Sequence, residues 1–550
     1  MTRDTEDDTG EADGTGGARG DGSEARASPG VPETGRDERP SVFVPDDGEP
    51  KQGVATDGGA ESDAGTDGGR AANDAATDGG RAANDAATDG GRAANDAATD
   101  GGVESATGGS DSAELDPDAY DPVDVFPGGD LDLREGADSC YKCTSCDTSC
   151  PVAEVDDEFP GPKFQGPEQW RLKQNEEDYE IDDSVMDCSN CMRCDNACPS
   201  GVPLSQMHNT ARGEYVAEEM SKTSVEYWRN RILANYRTSA WLASKVPGIA
   251  NAAMNFGPAR WVMEKTMGIT AEREFPAFAN ETFREWWARE GAAAGSKERA
   301  RDARERRDED PDADKRVAYF HGCYSNYNTP EVGKAMVRVF EAFGYEVAVP
   351  RQRCSGTPMF ANGMLDDAER AASVNVSELS DLLEEGYDVI ASCTSCSMSL
   401  RQEYPELFQL SGVEEVAENT WESLEYLRVH EDLEAALEAA SVDEQAFAYH
   451  APCHARNQGL DRQAVELFSE VDGVKMEDVG DSCSGISGTY GWKEEKYETS
   501  MQIAEDMFEH MHHADGDVGM TECPTCSMQM EHGTGYEIKH PLQLLEDALV

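Results

Sequence analysis

The chain predicts an α+β multi-domain fold, with a small helical unit built around cysteines followed by two copies of an α/β unit, all behind a long tail that holds no core. Three observations carry this. Two identical cysteine runs lie within residues 140–198, the half after residue 316 repeats one order of strand, helix and cysteine, and the first 130 residues are repetitive and poor in large apolar side chains.

The tail is Gly, Asp, Ala, Thr and Asn with few aromatics, and it repeats the unit TDGGRAANDAA from Thr66, Thr77 and Thr88, with a further start at Thr99. Alanine is the unit's only apolar residue, so the segment cannot bury enough surface to offset its ordering entropy. Residues 1–130 are expected to be a disordered, solvated spacer, with order beginning near Leu131.

Each run then spells C-x2-C-x2-C-x3-C-P: Cys140, Cys143, Cys146, Cys150-Pro151, and Cys188, Cys191, Cys194, Cys198-Pro199. This is the spacing of a two-cluster ferredoxin, in which three thiolates of one run and the last thiolate of the other hold each 4Fe-4S cubane. Cluster one is expected on Cys140, Cys143, Cys146 and Cys198, and cluster two on Cys188, Cys191, Cys194 and Cys150. Structural zinc uses separated C-x2-C pairs and has no use for the fourth cysteine before proline. A disulfide framework suits small secreted domains, and a chain of 550 residues without an apolar leader does not fit one. The ferredoxin-type domain spans 131–212, with Phe159 to Pro167 as an irregular Pro/Gly loop between the runs.

Residues 213–290 read as helical and hold five of the eight tryptophans, Trp228, Trp241, Trp261, Trp286 and Trp287, among Arg229, Arg231, Arg237, Lys245, Arg260 and Lys265. No eighteen-residue apolar run spans a membrane, yet the profile is that of an interfacial amphipathic segment. A tryptophan-filled helical core and a subunit interface remain the alternatives. Residues 291–315 read as a charged linker separating two halves.

The first α/β unit, 316–430, takes a strand from Arg316 to Phe320 into Cys323, a helix from Pro330 to Phe343, a strand from Tyr345 to Val349 into Cys354, and a strand from Tyr387 to Ala391 into Cys393 and Cys396. The second, 440–550, takes a strand from Phe447 to Tyr449 into Cys453, a strand into Cys483, a helix from Glu494 to His512, and a strand from Val518 to Thr521 into Cys523 and Cys526. Strand and helix alternating imply a parallel sheet, and its carboxyl ends are where such sheets assemble sites. Four thiolates from three strand ends suit an iron-sulfur cluster or zinc equally. The runs upstream favour one or two further iron-sulfur clusters. His321 and His454 adjoin these cysteines and are expected to be hydrogen-bonded structural residues.

Charge is spread over the whole chain. Residues 1–138 hold 35 acidic and 10 basic side chains, so −25 of the net −64 sits there and −39 on the rest. Carboxylates distributed in this way keep a folded body hydrated at high salt, as in a halophilic cytosol. Nucleic acid is disfavoured as a partner, since no basic stripe exists to neutralise phosphates. No Gly-rich dinucleotide fingerprint follows a strand and no P-loop is present, so nothing here oxidises a substrate unaided.

These residues resemble a known family. The stretches CTSCDTSCPV with FPGPKFQGP after it, CSNCMRCDNACPSGV, ITAEREFPAFANETFREWW and CSGISGTYGWKEEKYETS are similar to those of the iron-sulfur (C) subunits of anaerobic sn-glycerol-3-phosphate dehydrogenases. That family is related to the D subunit of heterodisulfide reductase and to the iron-sulfur subunits of glycolate and lactate oxidases. The resemblance implies cysteine-rich domains in the second half and electron transfer from an FAD-containing dehydrogenase subunit, with a second flavoprotein subunit, to a membrane quinone. It also implies a cytoplasmic protein, peripheral on the inner face of the cell membrane. The chain departs from the family's paired cysteine at Cys354-Ser355 and Cys483-Ser484. Serine oxygen is a poorer iron ligand than thiolate, so a five-thiolate cluster is disfavoured in both copies. A disulfide reductase, which needs that full thiolate set, is correspondingly disfavoured.

Overall fold

The computed structural model describes residues 139–175, 179–516 and 518–550. The disordered tail expected over 1–130 and the onset of order near Leu131 lie outside the described residues.

Two four-stranded parallel sheets of one topology form the second half. In the first, β1 (Arg316–Phe320) pairs with β2 (Glu346–Ala348) and β3 (Asp388–Ala391), and β4 (Thr420–Glu422) lies outside β3. In the second, β5 (Ser441–Tyr449) pairs with β6 (Asp472–Asp478) and β7 (Val518–Met520), and β8 (Glu537–Lys539) lies outside β7. Helices cover both faces of a parallel sheet, which is why the interior strands read as apolar runs; Val317, Ala318, Tyr319 and Phe320 are all buried. The edge strands β4 and β8 have three residues each, too short to show a period in the sequence.

The two sheets share a core. The last helix, Pro541–Leu549, packs on the helix Pro330–Ala342 of the first unit, and Leu542, Leu544 and Leu545 join Val337, Phe340 and Phe447 in one apolar cluster. Each such side chain contributes about 1.5–3 kcal/mol on burial. A second cluster ties the ferredoxin-type helix Leu204–Glu214 to the first unit through Met207, Ala211, Phe360 and Leu400. Arg212 of that helix is fully buried and spends its guanidinium on the carbonyls of Val185, Cys188 and Phe360 and the Asn209 side chain.

Three expectations need correction. The charged linker is instead a helix, Ala292–Arg306, packed on β2 and on helix Pro330–Ala342. Its small residues Ser296, Ala300 and Ala303 recur at helical spacing and are buried, a stripe that the surrounding charge conceals. The loop between the cysteine runs gives way at Phe164 to a π-helical turn, Phe164–Glu168, leading into the helix Gln169–Asn175. The single helix expected from Glu494 to His512 breaks at Ala504 into Tyr497–Ile503 and Glu505–His513. In the first piece, the carbonyl of Ser500 lies where a side chain on Gly485 would stand, and Gly485 itself has φ of +73°.

The tryptophan segment also divides. Trp286 and Trp287, on a helix opened by a Thr282–Glu285 capping box, lie in the shared core. Trp228, Trp241 and Trp261 are 52%, 54% and 61% exposed, beside exposed Leu242, Ile249 and Phe256. Several of the basic residues interleaved with them face inward. Arg229 pairs with Glu495 at 2.6 Å, and Arg260 donates to the Thr270 carbonyl and lies 4.2 Å over the Phe275 ring.

Candidate metal centres and the cavity beside them

The two cysteine runs fold alike. Lys142 and Thr144 in the first, and Asn190 and Met192 in the second, take left-handed backbone angles at φ 63°, 67°, 54° and 59°. Such angles cost of order 1–3 kcal/mol in a residue with a side chain and persist where the surroundings enforce them. They curl each loop around its cysteines and turn backbone N–H groups inward, as at Asn190, whose N–H donates to Cys188 Sγ at 3.4 Å.

The loops and the distant fourth cysteines close on two cavities. Cys140, Cys143, Cys146 and Cys198 line one, and Cys150, Cys188, Cys191 and Cys194 line the other. Pro151 starts the helix Pro151–Val155 immediately after Cys150. Burial, then the neighbouring Asp147, pushes the Cys146 thiol up to about 12. Burial followed by the nearby thiols raises Cys150, and burial with Asp195 raises Cys194. Thiolates crowded into an apolar cavity are therefore costly unless a cationic group joins them, and iron is such a group. All the cysteines are free thiols, so the donor set fits an iron-sulfur cubane in each cavity. His208 carried no signal in the sequence. Its Nδ1 lies 3.9 Å from Cys188 Sγ, and its Nε2 is fixed 3.0 Å from the Pro162 carbonyl.

In the α/β units every cysteine sits just past a strand end, as the strand pattern required. What the sequence did not reveal is that both sets meet: Cys323, Cys354, Cys393 and Cys396 line the same cavity, of about 180 Å³, as Cys453, Cys483, Cys523 and Cys526. Ser395 of the first unit lies 3.7 Å from Cys523 Sγ of the second. Ser189 and Asn190, from the second ferredoxin loop, line this cavity as well as that of Cys188.

Thiols pack across these sets. Cys191 and Cys483 pack in one apolar cluster, and their interaction holds the Cys191 thiol down while raising Cys483. The neighbouring Cys354 thiol lowers Cys323 within the first unit, and Cys526 lowers Cys523 within the second. Of the serines standing in for cysteine, Ser484 places its Oγ 3.3 Å from Cys526 Sγ, and Ser355 lines the cavity with Cys396. Each unit thus brings four thiols to the cavity. His321 Nδ1 lies 2.5 Å from the Gly322 carbonyl, and burial holds His454, which lines the cavity, down to about 4 and so neutral.

Among the described residues no helix is long and apolar enough to cross a membrane.

The 4Fe-4S dicluster domain family matches residues 136–202, and the Cysteine-rich domain family matches 317–401 and 447–531. The C subunit of anaerobic glycerol-3-phosphate dehydrogenase from Escherichia coli (strain K12) is 32% identical over 424 residues, covering 75% of this chain and 98% of that protein. The B subunit of fumarate reductase (CoM/CoB) from Methanothermobacter marburgensis is 31% identical over 224 residues, 39% of this chain and 42% of that one. Lactate utilization protein A of Exiguobacterium sp. is 28% identical over 243 residues, 42% of this chain and 96% of its own.

Proposed function

The chain belongs to the iron-sulfur family that includes the C subunit of anaerobic glycerol-3-phosphate dehydrogenase, and from that membership we propose that it carries electrons from an FAD-bearing dehydrogenase subunit, assembled with a second flavoprotein, to a membrane quinone. Its clusters, when bound, supply one-electron carriage. The chain's own contribution is placement. Cys140, Cys143, Cys146 and Cys198 would hold one 4Fe-4S cluster and Cys188, Cys191, Cys194 and Cys150 the other, with further clusters on Cys323, Cys354, Cys393 and Cys396 and on Cys453, Cys483, Cys523 and Cys526. The observation that carries this reading is that Ser189 and Asn190 line both the cavity of Cys188, Cys191 and Cys194 and the cavity of the α/β-unit cysteines, while Cys191 and Cys483 share one apolar cluster.

The exposed Trp228, Trp241 and Trp261 face supports a peripheral seat on the inner face of the cell membrane. Indole rings suit the headgroup layer, and Lys245, 5.9 Å from the Trp241 ring, sits where anionic headgroups would meet it. The dispersed carboxylates suit a salt-rich cytosol.

The test is to purify the complex anaerobically and supply sn-glycerol 3-phosphate, glycolate or lactate in turn while following the cluster spectra. Reduction by sn-glycerol 3-phosphate alone is expected. Reduction by glycolate or lactate alone would place the chain with the other branch of its relatives.

A further inference from the structure

Glu403 is a buried carboxyl that the electron path does not use. It closes the π-helical turn Ser399–Glu403 and is 1% exposed. Its Oε2 is 2.7 Å from Ser399 Oγ, Ser399 Oγ is 3.1 Å from Thr357 Oγ1, and Thr357 Oγ1 is 3.4 Å from Ser355 Oγ. Its other oxygen accepts from Asn190 Nδ2 at 3.3 Å. Thr357, Ser355 and Asn190 all line the cavity that holds the eight cysteines of the α/β units. A chain of hydroxyls thus leads from a buried carboxyl to that cavity, and each link is an O–H group able to accept a proton on one side and donate one on the other.

Further hydroxyls, from Ser395, Ser484, Ser487, Thr489 and Thr525, and the His454 ring also line the cavity, and beside them stands a set of apolar side chains. Leu233, Tyr236, Phe275, Pro276, Trp492 and Met528 share it with the thiols. Leu233 and Tyr236 belong to the helices Val225–Ala234 and Tyr236–Ala243, which turn Trp228, Ile232, Trp241 and Leu242 outward. One pair of helices therefore contributes both to the exposed apolar face and to the cavity wall. A ligand that reaches this cavity from lipid, stacks between apolar side chains, lies against electron-carrying thiolates and needs protons on reduction is a quinone ring.

We propose that the apolar side of the cavity receives the quinone head group and that Glu403, through Ser399 and Thr357, delivers protons to it. This rests on the electron-transfer reading above. The quinone takes two electrons that originate at the flavoprotein partner and two protons, so that each carbonyl oxygen becomes a hydroxyl. Glu403 gives up a proton through the chain and regains one from water between the two electron steps.

The electrostatics agree with a proton carrier. Burial raises the Glu403 carboxyl to about 7, against the opposing hydrogen bonds from Ser399 and Asn190 and the charge of Arg212 on the helix Leu204–Glu214. The acid and its carboxylate are then both populated near neutrality, where general acids work best. A π-helical turn is a frequent marker of such sites.

The experiment uses the whole complex in membranes, with Glu403→Gln and Thr357→Val as variants, and three readouts: iron content, photolabelling by an azidoquinone, and quinol formation across pH with its solvent isotope effect. Both variants should keep the wild-type iron content. In wild type the label is expected on peptides carrying Leu233, Tyr236 or Phe275. Quinol formation should fall about a hundredfold in Glu403→Gln, the isotope effect should rise, and the pH dependence near 7 should vanish. Label confined to other peptides, or quinol formation in both variants at the wild-type rate and pH profile, would overturn the proposal. A wild-type complex whose clusters are reduced by the flavoprotein but which reduces no quinone would instead defeat the underlying electron-transfer reading. Turnover of a disulfide in its place would assign the cavity to that substrate.

Discussion

Cys191 of the second ferredoxin loop and Cys483 of the second cysteine-rich domain lie in one apolar cluster, although a whole α/β unit separates them in the chain. Val152, Phe159 and Ile503 close around the pair.

The crossed ligation has a direct consequence. Cys150 lines the cavity of Cys188, Cys191 and Cys194 although it belongs to the other run. Cys150→Ser should therefore alter the spectrum of the cluster on that set and leave the cluster on Cys140, Cys143 and Cys146 intact, as read by electron paramagnetic resonance of the full-length protein.

Ser484 donates to or accepts from Cys526 at 3.3 Å. If the hydroxyl only hydrogen-bonds the sulfur, Ser484→Ala leaves the iron count unchanged and lowers that centre's potential, because a hydrogen bond to sulfur favours the reduced, more negative state. A redox titration measures the shift. Loss or conversion of the cluster would instead identify the oxygen as a ligand.

The tryptophans separate by position. Trp241→Glu with Trp261→Glu should release the protein from liposomes in a flotation assay while its melting temperature stays near wild type, because both rings are exposed. Trp286→Ala, in the shared core, should cost about 3–5 kcal/mol and lower the melting temperature without any effect on flotation of the surviving fold.

Glu522 is buried under Tyr449 and raised to about 8, first by burial and then by the charge of Glu422. A folded-state value above the unfolded one means that stability is complete below about pH 4.5 and is lost as pH rises toward 8. Glu522→Gln keeps the Tyr449 hydrogen bond and removes the titration. Its advantage in thermal denaturation should be absent near pH 4 and largest above pH 8.

Much of this was legible because cysteine spacing is a local signal that survives without tertiary information. The strand at Arg316 to Phe320 was equally plain, since a strand buried on both faces is apolar throughout. The helix Ala292–Arg306 was not, because Ser296, Ala300 and Ala303 are small residues lost among charges. Trp286 and Trp287 had a readable cue in the Thr282 to Glu285 capping box, which announces a helix start and so a side facing the core. Nothing local announces that Cys396 and Cys526 line one cavity, or that Glu403 reaches it through Ser399. Those relations exist only after the two sheets have packed.

The most direct measurement is a count of iron and acid-labile sulfide on the anaerobically purified full-length protein, followed by reduction through its flavoprotein partner and reoxidation by quinone extracted from its own membranes. The account predicts at least about eight irons, from two 4Fe-4S clusters, with those centres reduced by the partner and reoxidised by the quinone. Zinc in place of iron, or clusters that this quinone leaves reduced, would contradict it.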